Sequence, residues 1–461
     1  MAGELYGDYS RMPTVIGSGV RSVFAQQGRV VLDSDVNEQT ALLLQQIRSI
    51  AGDLIGPHGG PRDNVGFEIT FETDPDGNDV LGIAKGRYYV DGIQVDAGET
   101  TYFEQGAFLD PDEDDDELPA APFLVYLKVW ERTIGAIEDP ATREVALGPN
   151  GPDTTTRNRV VWQVLASPDV FGHLEHQLDT TKKSFLDAWD AWAQDATPRG
   201  MLMARANRPT DADDDPCPTP PTSRYRGVEN QLYRVEIHTV DVNANGVMTA
   251  TFKWSRDNGS ATYPIASLVG RVATVTSLGR DRGLMVDIGD WVEVVDDRYM
   301  VYPGVGPLGR RTSELIRVVD VDALDRTVTL GADPQDGVGE MPERHPFLRR
   351  WDQQCRSDST PTGLFESNGC EVEFTEVGGD PIWIDLEDGI QVAFESGVLR
   401  VGDYWLIAAR TETGDIEWPQ EAGGPKAMPP LGVDYAFAPL AVVRGTGTVD
   451  DLRLSFAPLA K

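Results

Sequence analysis

The sequence predicts a mainly β, multidomain protein built from antiparallel β-sandwich or barrel modules with a few helices. Three observations carry that reading. Short runs of alternating apolar and polar residues recur along most of the 461 residues, Asp-Gly turns and other Gly or Pro residues punctuate them, and only two stretches have clear helical spacing. A chain of this length exceeds one ordinary core. The expected division is an N-terminal arm and helix over 1–60, a β-rich main domain with acidic and Pro-rich loops over 61–265, a small β-barrel insertion over 266–335, and a C-terminal β-rich region over 336–461 that packs with the main domain.

The first helix is expected from about 35 to 52. Leu43, Ile47, Ile50 and Leu54 line up there as one apolar stripe, and its other face, with Gln39, Gln46 and Asp53, is expected to be polar. Ser34 or Asp35 is placed to cap its free amides, Glu38 follows Asp35 at capping-box spacing, and Gly56-Pro57 stops it. From Phe67 to Phe103 the period changes to two, as in Phe67-Glu-Ile-Thr-Phe71, which predicts antiparallel hairpins.

An acidic stretch over 110–117 reads as a surface linker, and the continuous apolar run Phe123-Leu-Val-Tyr-Leu-Lys-Val-Trp130 reads as a strand buried on both faces. The second helix is expected over about 182–193, where Phe185, Trp189 and Trp192 share one face. A Pro- and Asp-rich tract over 208–221 marks an organisational break. Beyond it, Leu232–His238 and Met248–Trp254 alternate and form a hairpin across a turn at 243–246. Val272–Val275, Trp291–Val295, Leu315–Val321 and Thr327–Leu330 are the strands of the small barrel. Ile390–Phe394, Tyr404–Ala409 and Leu440–Val443 continue the β pattern to the end.

Charge narrows the function classes. A formal net charge of -35 repels nucleic acid phosphates and anionic lipid heads, both of which reward a basic surface. It suits solubility, a salty medium or a basic protein neighbour. No basic flank and apolar run open the chain, and no stretch has the length of a membrane span, so neither export by a signal peptide nor a direct membrane span is expected. Three cysteines, Cys217, Cys355 and Cys370, are too sparse for a disulfide scaffold and fit folding in a reducing cytoplasm.

Clustered titratable groups are few. His173 and His176, three apart around Glu175, could share a helical face as metal ligands, although no third ligand is evident. Cys355 and Cys370, with His345, lack the close knuckle spacing of a zinc site and read as buried thiols. Asp74, Asp76 and Asn78 present oxygens at alternate positions, as a calcium loop does, but without a downstream bidentate Glu, so a hairpin turn is the simpler reading. No nucleophile elbow, phosphate-binding loop or zincin helix occurs, and no cofactor is expected. Acidic pairs for polysaccharide hydrolysis are uninformative among 75 acidic residues.

Several boxes carry a family resemblance. Tyr9-Ser10-Arg11 followed by Gln26-Gln-Gly-Arg-Val-Val-Leu-Asp-Ser-Asp-Val-Asn-Glu-Gln39 resembles the opening box of an uncharacterised family encoded with phage-tail-like contractile injection systems. Val129–Pro140 with Glu144–Leu147 and Asp153–Arg157, then Tyr233–His238 and Phe252-Lys-Trp-Ser-Arg-Asp-Asn-Gly259, are similar to the same family, as are Leu386–Phe394, Gly402–Ala408 and Tyr435–Val442. Where that family often carries histidines before the last tyrosine, this chain has Val433 and Asp434, which weakens a metal or catalytic role there.

The resemblance implies a non-enzymatic particle subunit at the baseplate, around the spike or at another specialised position. Its partners would be other subunits of the particle and further copies of itself in a symmetric assembly, and it would be made in the cytoplasm and released with the particle. Structural roles are then expected for Tyr9, Ser10, Arg11, Gln27, Gly28, Arg29, Asp33, Asp35, Asn37, Glu38, Trp130, Arg132, Asp153, Arg157, Trp254, Arg256, Asp257 and Asn258. Tryptophans 130, 162, 254 and 405 supply buried area, and Arg132, Arg157 and Arg256 satisfy carboxylates and turn carbonyls. Two other classes stay open: a glycan or receptor reader using aromatics of the 297–302 loop, and a polysaccharide hydrolase using an acidic pair.

Overall fold

A computed structural model describes residues 5–12, 19–106, 118–148, 153–178, 182–193, 199–207, 224–242, 248–279, 283–297, 314–335, 337–353, 364–366, 369–375 and 379–458. The fold is mainly β, with several sheets, one closed barrel and, among the described residues, three α-helices: α1 (Asp33–Ile55), α2 (Pro168–Leu178) and α3 (Lys182–Ala193). None of these helices is long and apolar enough to cross a membrane. The stretches over 110–117, 208–221, 243–246 and 298–302, with Cys217 and Cys355, lie outside the described residues.

The first module is organised by the strand Phe123–Ile134. One edge pairs antiparallel with Arg157–Ser167, from Leu124 opposite Ser167 to Ile134 opposite Arg157. The other edge pairs with Ala436–Gly445, which pairs in turn with Thr448–Asp451. The end of the chain therefore completes a sheet begun some three hundred residues earlier.

The continuous apolar run has the expected cause. Phe123, Val125, Leu127 and Val129 enter a core with Phe67, Ile69, Phe71, Leu81 and Tyr88. On the opposite face, Leu124 packs with Phe171 and Leu174 of α2 and with Phe185 and Trp189 of α3. The ring of the buried Trp189 lies 5.0 Å from that of the half-buried Trp192, and full burial of a large apolar side chain contributes roughly 1.5–3 kcal/mol.

The second module joins a six-stranded sheet, ordered Leu364–Glu366, Gly369–Glu371, Met248–Ser255, Gln231–Val242, Tyr404–Arg410 and Asp415–Glu417, to a smaller one around Ile390–Glu395 and Met201–Ala206. Tyr233, Val235, Ile237, Phe252, Phe394 and Trp405 share its core.

The barrel closes through Thr262–Val269, Val272–Val275, Thr327–Leu330, Leu315–Asp322, Trp291–Val295 and Phe347–Trp351. Its span exceeds the 266–335 expected from the sequence. Phe347–Trp351 is the closing strand, because it pairs on one side with Thr262–Val269 and on the other with Trp291–Val295. Two arginines in Phe347-Leu-Arg-Arg-Trp351 disguise its burial.

Helix α1 is longer than the 35–52 expected, and its cap differs. Leu32 stands at the N-cap without a side-chain hydrogen bond, and Ser34 is buried. Gly56 ends the helix at φ 91°, donating its N–H to Gly52 O at 2.8 Å. The apolar stripe does not enter a core. Val36, Leu43, Ile47, Ile50 and Leu54 are 55, 49, 60, 51 and 58% exposed, while Leu42 on the other side is buried. Arg48 holds that inner side to Glu131 at 2.5 Å.

Candidate functional site

The N-terminal segment 5–12 runs onto the junction of the second module, the barrel and α1, and several of the sequence boxes meet there. Tyr6 is buried, with the guanidinium groups of Arg234 and Arg349 at 3.9 and 3.6 Å from its ring centre. Its hydroxyl donates to Glu236 at 2.8 Å. Asn258 Nδ2 donates to the carbonyls of Leu5 and Gly7 at 3.1 and 3.0 Å. Asn258 sits at φ 51°, a left-handed position that asparagine tolerates, which turns its amide toward the segment.

Beneath Tyr6 lies a buried chain of charges. Arg234 Nε donates to Glu236 at 2.6 Å, Lys253 Nζ donates to Glu293 at 2.8 Å and lies 3.5 Å from Glu236, and Trp351 Nε1 donates to Glu293 at 3.1 Å. Burial pushes the Glu293 carboxyl up, but Lys253, His238 and Arg349 outweigh it and hold Glu293 below the usual range. This chain ties the second module to two barrel strands and to the N-terminal segment.

The next residues continue outward. Ser10 donates its N–H and hydroxyl to Asp33 at 2.9 and 2.6 Å, Tyr9 and Thr156 share a hydrogen bond of 2.5 Å, and Arg410 donates to Ser10 O at 2.9 Å. Partial burial pushes Asp33 up, and the two Ser10 donors hold it below the ordinary carboxylate range. Arg11 faces Glu417 at 3.6 Å on the surface, a pair worth little.

Asp8, Tyr9, Ser10, Asp33, Leu232 and Asp257 help line a cleft of about 370 Å³. Asp257 is pushed up to about 6 by burial and by Asp352, against Arg350 and Arg256. Beside it, Arg256 reaches Glu387 at 2.8 Å and its N–H donates to Asp352 at 2.8 Å. Glu387 also accepts from Tyr233 at 2.9 Å and is pushed up to about 7, by burial first. Among the described residues no group of three His, Cys, Asp or Glu side chains is arranged to hold a metal ion.

The remaining box residues serve other places. Arg132 is buried and crosses from the first module to Asp297 of the barrel at 2.8 Å, where His345 also meets Asp297 at 2.7 Å. Trp130 packs with Tyr435, and both rings face the buried Lys128, whose ammonium burial and Arg400 push down to about 7. Trp254 lies 6.1 Å from Tyr233 in the second core. Arg157 is exposed and bonds its local Thr155 and the Thr156 carbonyl, and Asp153 is half-buried nearby in the chain.

Gln27, Gly28 and Arg29 lie in the exposed arm, where Gly28 turns at φ 73° and Arg29 N–H reaches Gln26 O. Asp35, Asn37 and Glu38 are half-buried on α1. Asp74 accepts from Asp76 N–H at 2.9 Å and Asn78 N–H at 2.8 Å, closing a hairpin turn together with Asn78. The side chains of His173 and His176, on α2, lie outside the described residues.

Tyr6, Glu293 and Arg349 lie outside every sequence box, and Arg234, Glu236 and Lys253 lie inside boxes without a role of their own being expected. Arg234, Glu236 and His238 alternate with Tyr233, Val235 and Ile237, a pattern that reads as a solvated face. Here that face is covered by Tyr6 and the barrel, so the charges are internal.

The molecule is thus a modular β protein whose N-terminal segment is locked into the junction of its parts. The model of a family of unknown function, DUF6519, matches residues 5–202 and 189–459, and the chain belongs to that family. No curated protein and no solved structure matches the chain.

Proposed function

We propose that the chain is a structural subunit of a phage-tail-like contractile injection particle, at the baseplate, the spike region or another specialised position, acting through protein–protein interfaces. One observation carries this reading beyond the sequence resemblance. Phe24, Val30, Val31, Leu32, Val36, Leu43, Ile47, Ile50 and Leu54 are all exposed in one N-terminal arm and helix of a strongly acidic chain. Exposed apolar side chains gathered in one segment mark an interaction surface more often than an idle one. Asp33, Glu236 and Glu387 of the sequence boxes, with Glu293, are engaged in holding segments of the chain together, which supports a structural role.

Cryo-electron microscopy of the native particle tests the proposal. The expected result is density for the closed six-stranded barrel and its flanking sheets at symmetry-related positions. A complete particle map with every density assigned to other chains contradicts it.

A second reading, a polysaccharide hydrolase, draws on the cleft, where Asp33 is held ionised and Asp257 is pushed up to about 6. It predicts hydrolysis of cell-wall polysaccharide that Asp257→Asn abolishes, and equal inactivity of both proteins removes it.

A further inference from the structure

Helix α1 carries a coiled-coil seam. Val36, Thr40, Leu43, Ile47, Ile50 and Leu54 follow one another at spacings of four, three, four, three and four, the 3.5-residue period of alternating a and d positions. All six are exposed. The helix is seated by its other side, through Leu42, Ser34 and the Arg48–Glu131 pair, so the seam points away from the first module. A helix lying on its own core ordinarily turns its apolar stripe inward and adds a third apolar position per heptad. Here the stripe, with the half-buried Leu44 and Ala51 along one flank, faces out.

The flanks of the seam name the occupant. The positions beside it are Asn37, Leu44 and Ala51 on one side and Gln39, Gln46 and Asp53 on the other; the last three stand one residue before Thr40, Ile47 and Leu54, and so flank the stripe instead of forming the opposite face expected for them. Only Asp53 among these six is charged. In a chain of net charge -35, contact between two copies meets like-charge repulsion over most of the surface, and this seam is a strip where it does not. A basic partner would be met by acidic flanks, which are lacking. A neutral apolar seam fits another of its kind, and each copy carries one.

We infer that α1 is the self-association element of this protein: copies pack their Val36–Leu54 seams together, with Ile47 and Ile50 at the centre of the contact. The inference deepens the subunit reading and rests on it for its biological setting, but the contact is a property of the purified chain.

The test is the molar mass of the full-length protein by light scattering after size exclusion, beside the double variant Ile47→Glu/Ile50→Glu. The wild type is expected at a multiple of 50.4 kDa and the variant at 50.4 kDa, with matching circular dichroism and melting, since both side chains are exposed in the single copy. Cysteine at position 47, as Ile47→Cys, is expected to cross-link two copies on mild oxidation. Val145→Cys, at an exposed site remote in sequence, is not. A wild type that stays monomeric at all concentrations overturns the inference, even if the chain is abundant in particles. So does an oligomer that survives the double substitution with no cross-link through position 47. Absence from particles bears only on the proposed function, and leaves a measured α1 contact standing.

Discussion

Asp33 receives both the backbone N–H and the hydroxyl of Ser10, at 2.9 and 2.6 Å, across twenty-three residues of sequence. The first turn of α1 thereby holds the N-terminal segment rather than capping itself. Charge-assisted hydrogen bonds are worth about 1.5–3 kcal/mol when shielded and less when exposed. Asp33→Ala is therefore expected to cost about 1 kcal/mol of stability and to speed proteolysis near Tyr9, read by urea melts and limited digestion. Unchanged digestion would remove the tether.

Glu236 holds the deeper end of the same segment. It accepts from Tyr6 and Arg234 and faces Lys253, all buried. Glu236→Gln leaves two interior cations short of an anion, and breaking a buried pair from one side costs about 3–5 kcal/mol. Tyr6→Phe removes one donor and is expected to cost about 1–2 kcal/mol. Equilibrium unfolding of the two variants should preserve that order.

Lys128 is buried beneath Trp130 and Tyr435 and its ammonium is pushed down to about 7 from 10.5. Between those values the unfolded chain binds the proton more tightly, so this group makes stability rise with pH from about 7 toward 10.5. Lys128→Met is expected to stabilise the protein at and below pH 7 and to lose that advantage above the ordinary lysine range. A destabilised variant at pH 7 would contradict the assignment.

Glu387, Asp257 and Asp403, the last buried before the strand Tyr404–Arg410 and paired with Arg199, act in the opposite direction. Their carboxyls are pushed up to about 7, 6 and 6, by burial first in each case. The folded state binds these protons more tightly, so their contribution is complete below the ordinary carboxylate range and is lost as pH rises through about 6 and 7. Melting temperatures between pH 4.5 and 7.5 should show this fall, and Glu387→Gln should flatten its upper part.

Much of the fold was legible because its periods are local. The Phe185, Trp189, Trp192 face, the double-sided strand from Phe123 and the hairpin of Gln231–Val242 with Met248–Ser255 follow from side-chain alternation and turn chemistry. The closing barrel strand was not, because Arg349 and Arg350 interrupt its apolar pattern and find their partners only in three dimensions. The return of Ala436–Gly445 to the first sheet depends on pairing over hundreds of residues, which no local period records.

The site was half legible. Tyr9, Ser10, Asp33, Arg256, Asp257 and Asn258 come from separate boxes that the fold brings to one junction. Arg234, Glu236 and Lys253 also lie in such boxes, but their buried pairing stayed hidden because a charged residue on an alternating strand looks the same in sequence whether water or another module covers it. For α1 the ambiguity ran the other way, since an apolar stripe looks the same whether it meets its own core or a partner.

Quantitative mass spectrometry of purified injection particles tests the central claim most directly. The expected result is this chain at a fixed ratio to the tail proteins, retained through washing in high salt, because an apolar contact is not screened as a surface ion pair is. Particles complete in their other subunits but devoid of this chain would contradict the account.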